Sequence, residues 1–118
     1  MSQSAMDAGA FAEMKELMGD AFIEIISMCL QSLPEQLTQV QTAINTRDAE
    51  ALFNVAHKMK SSCGSIGAFG LAEKIEAIEQ IGRKGSTDVS EPIYNELLDS
   101  ASQVIDILTA ELNANRAQ

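Results

Sequence analysis

Apolar side chains recur at steps of three and four residues through most of the chain, a spacing typical of amphipathic α-helices. The longest stripe, in residues 20–45, contains Phe22, Ile26, Cys29, Leu30, Leu33, Leu37, Val40 and Ile44. Pro34 lies inside this segment, and a proline there removes one backbone hydrogen bond and favours a kink. One bent helix is therefore preferred to two helices separated at Leu33.

Similar stripes predict four more helices. A short first helix is expected at residues 7–18, ended by Gly19, and Asp20 is expected to cap the second helix. The third begins near Asp48 and ends in residues 67–70, the fourth covers residues 71–82, and the fifth covers residues 91–113. Four substantial amphipathic helices with short connections predict an all-α antiparallel four-helix bundle, with the short first helix closing one end.

Composition sets limits on the class of protein. The 118 residues fit a single domain, residues 1–118, and the single apolar stripe on each helix favours a monomer. The net charge of −9 makes a nucleic acid an unsuitable partner. The basic residues concentrate in residues 58–84, which hold five basic and three acidic side chains.

Neither a membrane nor an oxidising compartment is indicated. No apolar run approaches the roughly 18 residues that span a bilayer, and the N-terminus lacks the basic start and apolar core of a signal peptide. Cys29 and Cys63 fall on apolar helix faces, so buried reduced thiols are expected. A cytoplasmic protein is the resulting expectation.

The only histidine, His57, lies on the outward side of the third helix. With about 100° of turn per residue, His57 lies about 140° around the helix from Leu52. The residues of the core face all lie within about 60° of Leu52: Val55, Ala56, Met59, Cys63 and Ile66. The same outward side carries Phe53, Lys60, Ser61 and Gly64. An imidazole beside an aromatic ring and small residues suits contact with another protein. Gly64 costs about 1 kcal/mol relative to alanine in a helix, which indicates either a steric requirement or a fraying helix end.

Several kinds of chemistry are open to such a histidine, besides that of a plain surface residue. A neutral imidazole is a nucleophile that can accept a phosphoryl group, and Lys60, one turn away, can stabilise the added negative charge. A metal site would need convergent ligands, but Cys63, which is near in sequence, points to the core. No nucleophile-elbow sequence supports a hydrolase triad, and no glycine-rich ATP loop supports kinase activity of the chain itself.

The segment AHKMKSSCGSIGA, residues 56–68, resembles the signature of the histidine-containing phosphotransfer (HPt) domains of two-component phosphorelays. The family pattern is Ala-His-x-x-Lys-Gly-Ser/Ala followed by small residues and a glycine. The matching positions are Ala56, His57, Lys60, Ser62, Gly64, Gly67 and Ala68. The segment LAEKIEAIEQIGR, residues 71–83, resembles the helix that follows in the family. Ser61 stands where the family usually has glycine, which puts the transfer rate and partner preference in question.

The resemblance implies that His57 accepts a phosphoryl group from a receiver-domain aspartate and passes it to another receiver domain. It implies that Lys60 stabilises the phosphoryl group. It places Glu79 where the family often has a Glu or Gln that can hydrogen-bond the histidine ring, although a solvated carboxylate is the other interpretation. Phe53, Lys58, Ser61 and Gly64 are then expected to form the patch that docks the receiver, unless the Phe53 ring is partly buried.

The expected partners are the receiver domains of a hybrid sensor kinase and a response regulator. No cofactor is expected on this chain, because no clustered carboxylates offer a metal cage, and Mg²⁺ is expected on the receiver. Two alternatives are a non-catalytic helical adaptor that docks receivers, and the phosphoacceptor domain of a chemotaxis-type histidine kinase.

Overall fold

The structure is a computed structural model that describes residues 4–116, apart from the side chain of the last of these. Its regular elements are five helices: α1 (Ala8–Met18), α2 (Ala21–Asn45), α3 (Ala49–Ser65), α4 (Phe69–Arg83) and α5 (Glu91–Arg116). The predicted all-α class and helix order are confirmed. The fourth helix begins two residues earlier than predicted, and the fifth continues three residues further.

The four long helices form a closed ring of neighbours. Helix α2 packs against α3 and α5, and α4 packs against the same two helices from the other side. Each helix turns its apolar stripe into the shared interior, as its periodicity predicts. Among the largest fully buried side chains are Phe22, Ile26, Val40, Leu52, Met59, Leu71, Ile75, Ile78, Leu97 and Leu108. No helix within the described residues is both long and apolar enough to cross a membrane.

Two aspartates begin helices by capping free backbone amides. Asp7 accepts a hydrogen bond from the Ala10 amide at 2.9 Å, and Asp48 accepts one from the Ala51 amide at 3.0 Å. The predicted cap at Asp20 is wrong: Asp20 has helical backbone angles and makes no capping hydrogen bond. A capping side chain requires a non-helical backbone at its own residue, and Asp20 has already joined the turn from Gly19.

Helix α2 runs unbroken through Pro34, so the alternative of two helices is wrong. Proline costs one backbone hydrogen bond in a helix interior, while the apolar stripe continues on both sides of it. Leu33 and Val40, which flank Pro34 along the stripe, are buried in the core. Burial of the stripe holds the helix together across the proline.

Helix α1 lies over the end of the bundle where α3 connects to α4, as predicted for a short closing helix. The Asp7 amide donates to the Gly67 carbonyl at 2.9 Å, and the Leu71 amide donates to the Ala5 carbonyl at 3.2 Å. Gly67 has a φ of +83°, and a Cβ there would lie 3.0 Å from the Ala10 Cβ. Glycine at this position therefore permits both the turn after α3 and the contact with α1.

Candidate functional site

Helix α3 presents His57 outward from the bundle. Its neighbours Ala56 and Met59 are fully buried, and the helical turn places His57 on the opposite side. The His57 side chain is 61% exposed, so a large partner can reach its ring. This is the orientation that the periodicity of α3 predicts.

Glu79 on α4 lies beneath His57 and is fully buried. One carboxylate oxygen, Oε2, lies 2.7 Å from His57 Nδ1, and the other, Oε1, accepts a hydrogen bond from Lys60 Nζ at 2.6 Å. A glutamate is rarely buried without partners, and here both oxygens have one. The interpretation of Glu79 as a solvated carboxylate is therefore wrong.

The hydrogen bonds of this cluster decide which nitrogen of a neutral imidazole carries the proton. Burial raises the pKa of Glu79, but hydrogen bonds from Lys60 and His57, together with the positive charge nearby, outweigh burial and bring the pKa below its ordinary value. The carboxylate is thus ionised at neutral pH and can only accept hydrogen bonds. His57 Nδ1 must then carry the proton and donate it to Glu79, which leaves the lone pair of a neutral ring on Nε2.

Gly82 explains how α4 comes close enough to α3 for this contact. A Cβ at Gly82 would lie 2.8 Å from the Phe53 amide nitrogen and 3.0 Å from the Ala49 carbonyl oxygen. The two backbones therefore touch at a point one turn from Glu79. Sequence reasoning treated Gly82 only as the end of the fourth helix; its place one turn after Glu79 was the available signal.

Phe53 lies beside His57 and is half-buried, so the interpretation of Phe53 as a partly buried ring is the one the structure supports. The two ring centroids are 5.7 Å apart and the ring planes meet at 21°. The guanidinium carbon of Arg83 lies 5.4 Å from the Phe53 centroid. Sequence reasoning noted Arg83 only as one of several basic residues and missed this contact, which the fold alone creates.

The other members of the expected docking patch divide between two sides of α3. Ser61 and Gly64 are exposed, and a Cβ at Gly64 would meet nothing within 4 Å. The fold itself therefore makes no steric demand for glycine there. Lys58 is exposed and lies in the groove between α2 and α3 with Thr42 and Asn54, on the α2 side of helix α3.

The two cysteines differ in burial. Cys63 is buried, as expected, whereas Cys29 is only half-buried, and both are free thiols. Burial, with a smaller contribution from the neighbouring Cys29, raises the pKa of Cys63 to about 12. Within residues 4–116, no three histidine, cysteine, aspartate or glutamate side chains cluster as a metal site would require.

Comparison with known proteins identifies the family of this chain. The family model described as "Hpt domain" matches residues 24–116. The signal transduction histidine-protein kinase BarA of Shigella flexneri and that of Escherichia coli are each 32% identical to this chain over 82 residues. The aligned segment covers 69% of this chain but 9% of each kinase. The chain belongs to the Hpt domain family, the histidine phosphotransfer domains of phosphorelays.

Solved structures show the same fold. Histidine-containing phosphotransfer protein B (HptB) from Pseudomonas aeruginosa is similar with a TM-score of 0.86 and 22% identity, covering 96% of this chain and 98% of its own. The HPT domain of a Shewanella sensor hybrid histidine kinase is similar with a TM-score of 0.77 and 20% identity, covering 94% and 96%. At these identities the likeness supports the arrangement of helices.

Proposed function

We propose that His57 is the phosphoacceptor of this Hpt domain, taking a phosphoryl group from a receiver-domain aspartyl phosphate and passing it to a second receiver. One observation carries the proposal: His57 is anchored through Nδ1 to a buried carboxylate, while its side chain is 61% exposed. The other ring nitrogen, Nε2, is then the one with the free lone pair in a neutral ring. An ordinary surface histidine has no such buried anchor.

The reaction follows from this arrangement. The Nε2 lone pair attacks the phosphorus of the aspartyl phosphate, an N–P bond forms, and the bond from phosphorus to the aspartate oxygen breaks. The electron pair leaves with the aspartate as a carboxylate. The ring gains positive charge while Nδ1 keeps its proton, and the Glu79 carboxylate at 2.7 Å stabilises that charge. Transfer to a second receiver is the same step in reverse.

Lys60 has two tasks in this proposal. Its ammonium group donates a 2.6 Å hydrogen bond to Glu79 and offsets the negative charge of that buried carboxylate. The carboxylate therefore has a positive partner even while the imidazole is neutral. The Lys60 side chain is also 32% exposed, one helical turn from His57, so the ammonium group can approach the phosphoryl oxygens. Both tasks need the positive charge, and a shorter polar side chain would supply neither.

The proposal includes the partners of the domain and the protein that holds the metal ion. The receiver domains of a hybrid sensor kinase and a response regulator would dock on the α3 and α4 surface around His57, and the receiver would supply Mg²⁺. Ser61 and Gly64 would leave space for the receiver backbone, since the fold does not need glycine at residue 64. We also propose that the protein is cytoplasmic and that it is a monomer. The monomer is supported by the apolar stripes of α2 to α5, which are buried against one another.

Labelling by a receiver tests the assignment. A receiver carrying labelled aspartyl phosphate is mixed with the wild-type chain and with His57→Gln, and acid-labile phosphate is located by mass spectrometry. Label at His57 in the wild type and none in the variant is expected. Label that persists in His57→Gln would contradict the assignment, and binding without transfer would favour a receiver-docking adaptor.

The donor is identified in a parallel arm of the same experiment. The chain is incubated separately with a receiver phosphate and with a histidine kinase catalytic domain plus ATP. Transfer from the receiver is expected. Labelling by the kinase domain alone would instead place His57 in the phosphoacceptor domain of a chemotaxis-type kinase.

A further inference from the structure

Three side chains form a stack that ends at the phosphoacceptor ring. The stack consists of His57, Phe53 and Arg83, and we call it the Phe53 stack. The 5.7 Å spacing and 21° angle of the two rings lie within the range for attractive offset stacking, about 4.5–7 Å between centroids. The Arg83 guanidinium, 5.4 Å from the Phe53 centroid, lies within the roughly 6 Å reach of a cation–π contact.

The register of α3 against α4 produces this stack together with the Glu79 contact. Phe53 and His57 are four residues apart on α3 and therefore lie on one side of it. Glu79 and Arg83 are four residues apart on α4, which runs in the opposite direction. Glu79 thus meets His57 while Arg83 meets Phe53, and the backbone contact at Gly82 fixes the register between them.

The two contacts restrain the imidazole in different ways. The hydrogen bond to Glu79 holds one ring atom, Nδ1, but leaves the ring plane able to turn about the line that joins the two groups. The ring of Phe53 lies beside the imidazole in an offset, near-parallel stack and restrains that plane. An attacking lone pair must point along the bond that forms, so the ring plane matters for transfer as much as the position of Nδ1.

Building on the assignment of His57 as the phosphoacceptor, we propose that Phe53 is a positioning residue that holds the plane of the His57 imidazole. Arg83 holds the Phe53 ring in its stacked rotamer. Both residues act through His57. This role differs from that of a ring offered to the receiver, because a half-buried Phe53 covered by Arg83 and His57 has little free surface to offer.

A small phosphoryl donor separates positioning from docking. Phosphoramidate carries its phosphoryl group on an amine nitrogen and needs no docking surface, so its rate of labelling His57 reports on the site itself and not on receiver docking. The full chain is compared with Phe53→Leu, which keeps the apolar bulk, and with Phe53→Tyr, which keeps the ring. Phe69→Leu is the matched control, because Phe69 is 40% exposed at the start of α4.

Phe53→Leu is expected to slow labelling by phosphoramidate by about twofold to tenfold, the factor that corresponds to one aromatic pair. Phe53→Tyr is expected to retain the wild-type rate, and so is Phe69→Leu. A thermal melt of each variant checks that the fold is kept. If Phe53→Leu does not fold, Arg83→Gln tests the same stack, with Lys84→Gln as its control.

Proton NMR of the imidazole shows whether the stack forms in solution, and Arg83→Gln is the informative variant because it keeps the Phe53 ring. The ring current of a stacked phenylalanine displaces the Hδ2 and Hε1 signals of His57 from their positions in a free histidine. The displacement is expected to persist in Phe53→Tyr, to vanish in Phe53→Leu and to shrink in Arg83→Gln. Lys84→Gln is expected to leave it unchanged.

Two results would overturn the proposal. The first is a folded Phe53→Leu variant that phosphoramidate labels at the wild-type rate. The second is a variant that is slowed only with a receiver donor, which would make Phe53 a docking residue. If a phosphorylated receiver did not label His57 of the wild type, the proposed function would fail. The imidazole signals of the unphosphorylated chain would still report on the stack.

Discussion

Removal of the Lys60 ammonium group should destabilise the fold through Glu79. In Lys60→Met the aliphatic stem is retained, so its packing changes little. The Oε1 atom of Glu79, which accepts from Lys60 at 2.6 Å, loses its partner inside a fully buried carboxylate. The cost therefore comes from an unpaired buried charge.

The structure sets the size of this cost. A hydrogen bond to a charged group contributes about 1.5–3 kcal/mol, and breaking a fully buried ion pair costs about 3–5 kcal/mol. The Lys60 side chain is 32% exposed, so water can enter part of the vacated space, and the lower range applies. We expect a loss of about 2 kcal/mol in the free energy of unfolding, or about 8 °C in Tm for a domain of this size.

The pH dependence of this loss is the sharper measurement. Folding lowers the pKa of Glu79 from its ordinary value of 4.5. A carboxyl whose pKa is lowered on folding stabilises the fold above its unfolded pKa, and the contribution is lost as pH falls through the folded pKa. The difference in the free energy of unfolding between wild type and Lys60→Met should therefore have its full size at neutral pH and should shrink below a pH of 4.5.

Urea unfolding at a series of pH values measures the effect, with Lys74→Met as the matched control. Lys74 pairs with Glu96 at 3.5 Å, and the Glu96 side chain is 60% exposed, so its loss should cost at most about 1 kcal/mol. A double variant with Glu79→Gln completes a cycle in which the cost of Lys60→Met should fall. The reasoning is refuted if Lys60→Met costs no more than Lys74→Met, or if its cost does not change with pH.

Three further outcomes follow from the packing of α3. Gly82→Ala forces a Cβ within 2.8 Å of the Phe53 amide nitrogen, so it should destabilise the fold by about 1–3 kcal/mol in urea unfolding; an unchanged midpoint would show that α4 moves freely. Gly64→Ala meets nothing within 4 Å and should stabilise the fold by about 0.5–1 kcal/mol, while a slower transfer from a receiver would show that the partner needs the glycine. Mainly because it is buried, the Cys63 thiol has its pKa raised to about 12, so iodoacetamide should alkylate Cys29 first in the folded chain. Equal rates of alkylation by mass spectrometry would contradict this order.

The periodicity of the sequence was sufficient to predict the helices and the direction of His57. Each stripe must be buried on one side, and a bundle offers one interior for all of them. The stripe of α3 therefore placed His57 outward before any contact was known. The error in the predicted caps was local: Asp20 does not cap α2, because it lies inside a turn that begins at Gly19.

The partners of His57 could not be predicted by the same reasoning. A helical period assigns faces within one helix, but the register between α3 and α4 depends on where their backbones approach. Gly82 sets that point, and the approach brings Glu79 under His57 and Arg83 over Phe53. The resemblance to the HPt family indicated Glu79, but the burial of Glu79 and the contact of Arg83 required the packed structure.

The buried carboxylate is itself an argument for function that is independent of the sequence motif. Ion pairs buried in a core contribute little net stability, because the cost of removing charges from water offsets their attraction. An apolar side chain at residue 79 would continue the stripe of Ile75 and Ile78, both fully buried, without that cost. A glutamate at this position hydrogen-bonds the exposed imidazole and can stabilise positive charge on it, which an apolar residue cannot do. The buried carboxylate therefore fits the proposed chemistry at His57 better than it fits a role in the stability of the bundle.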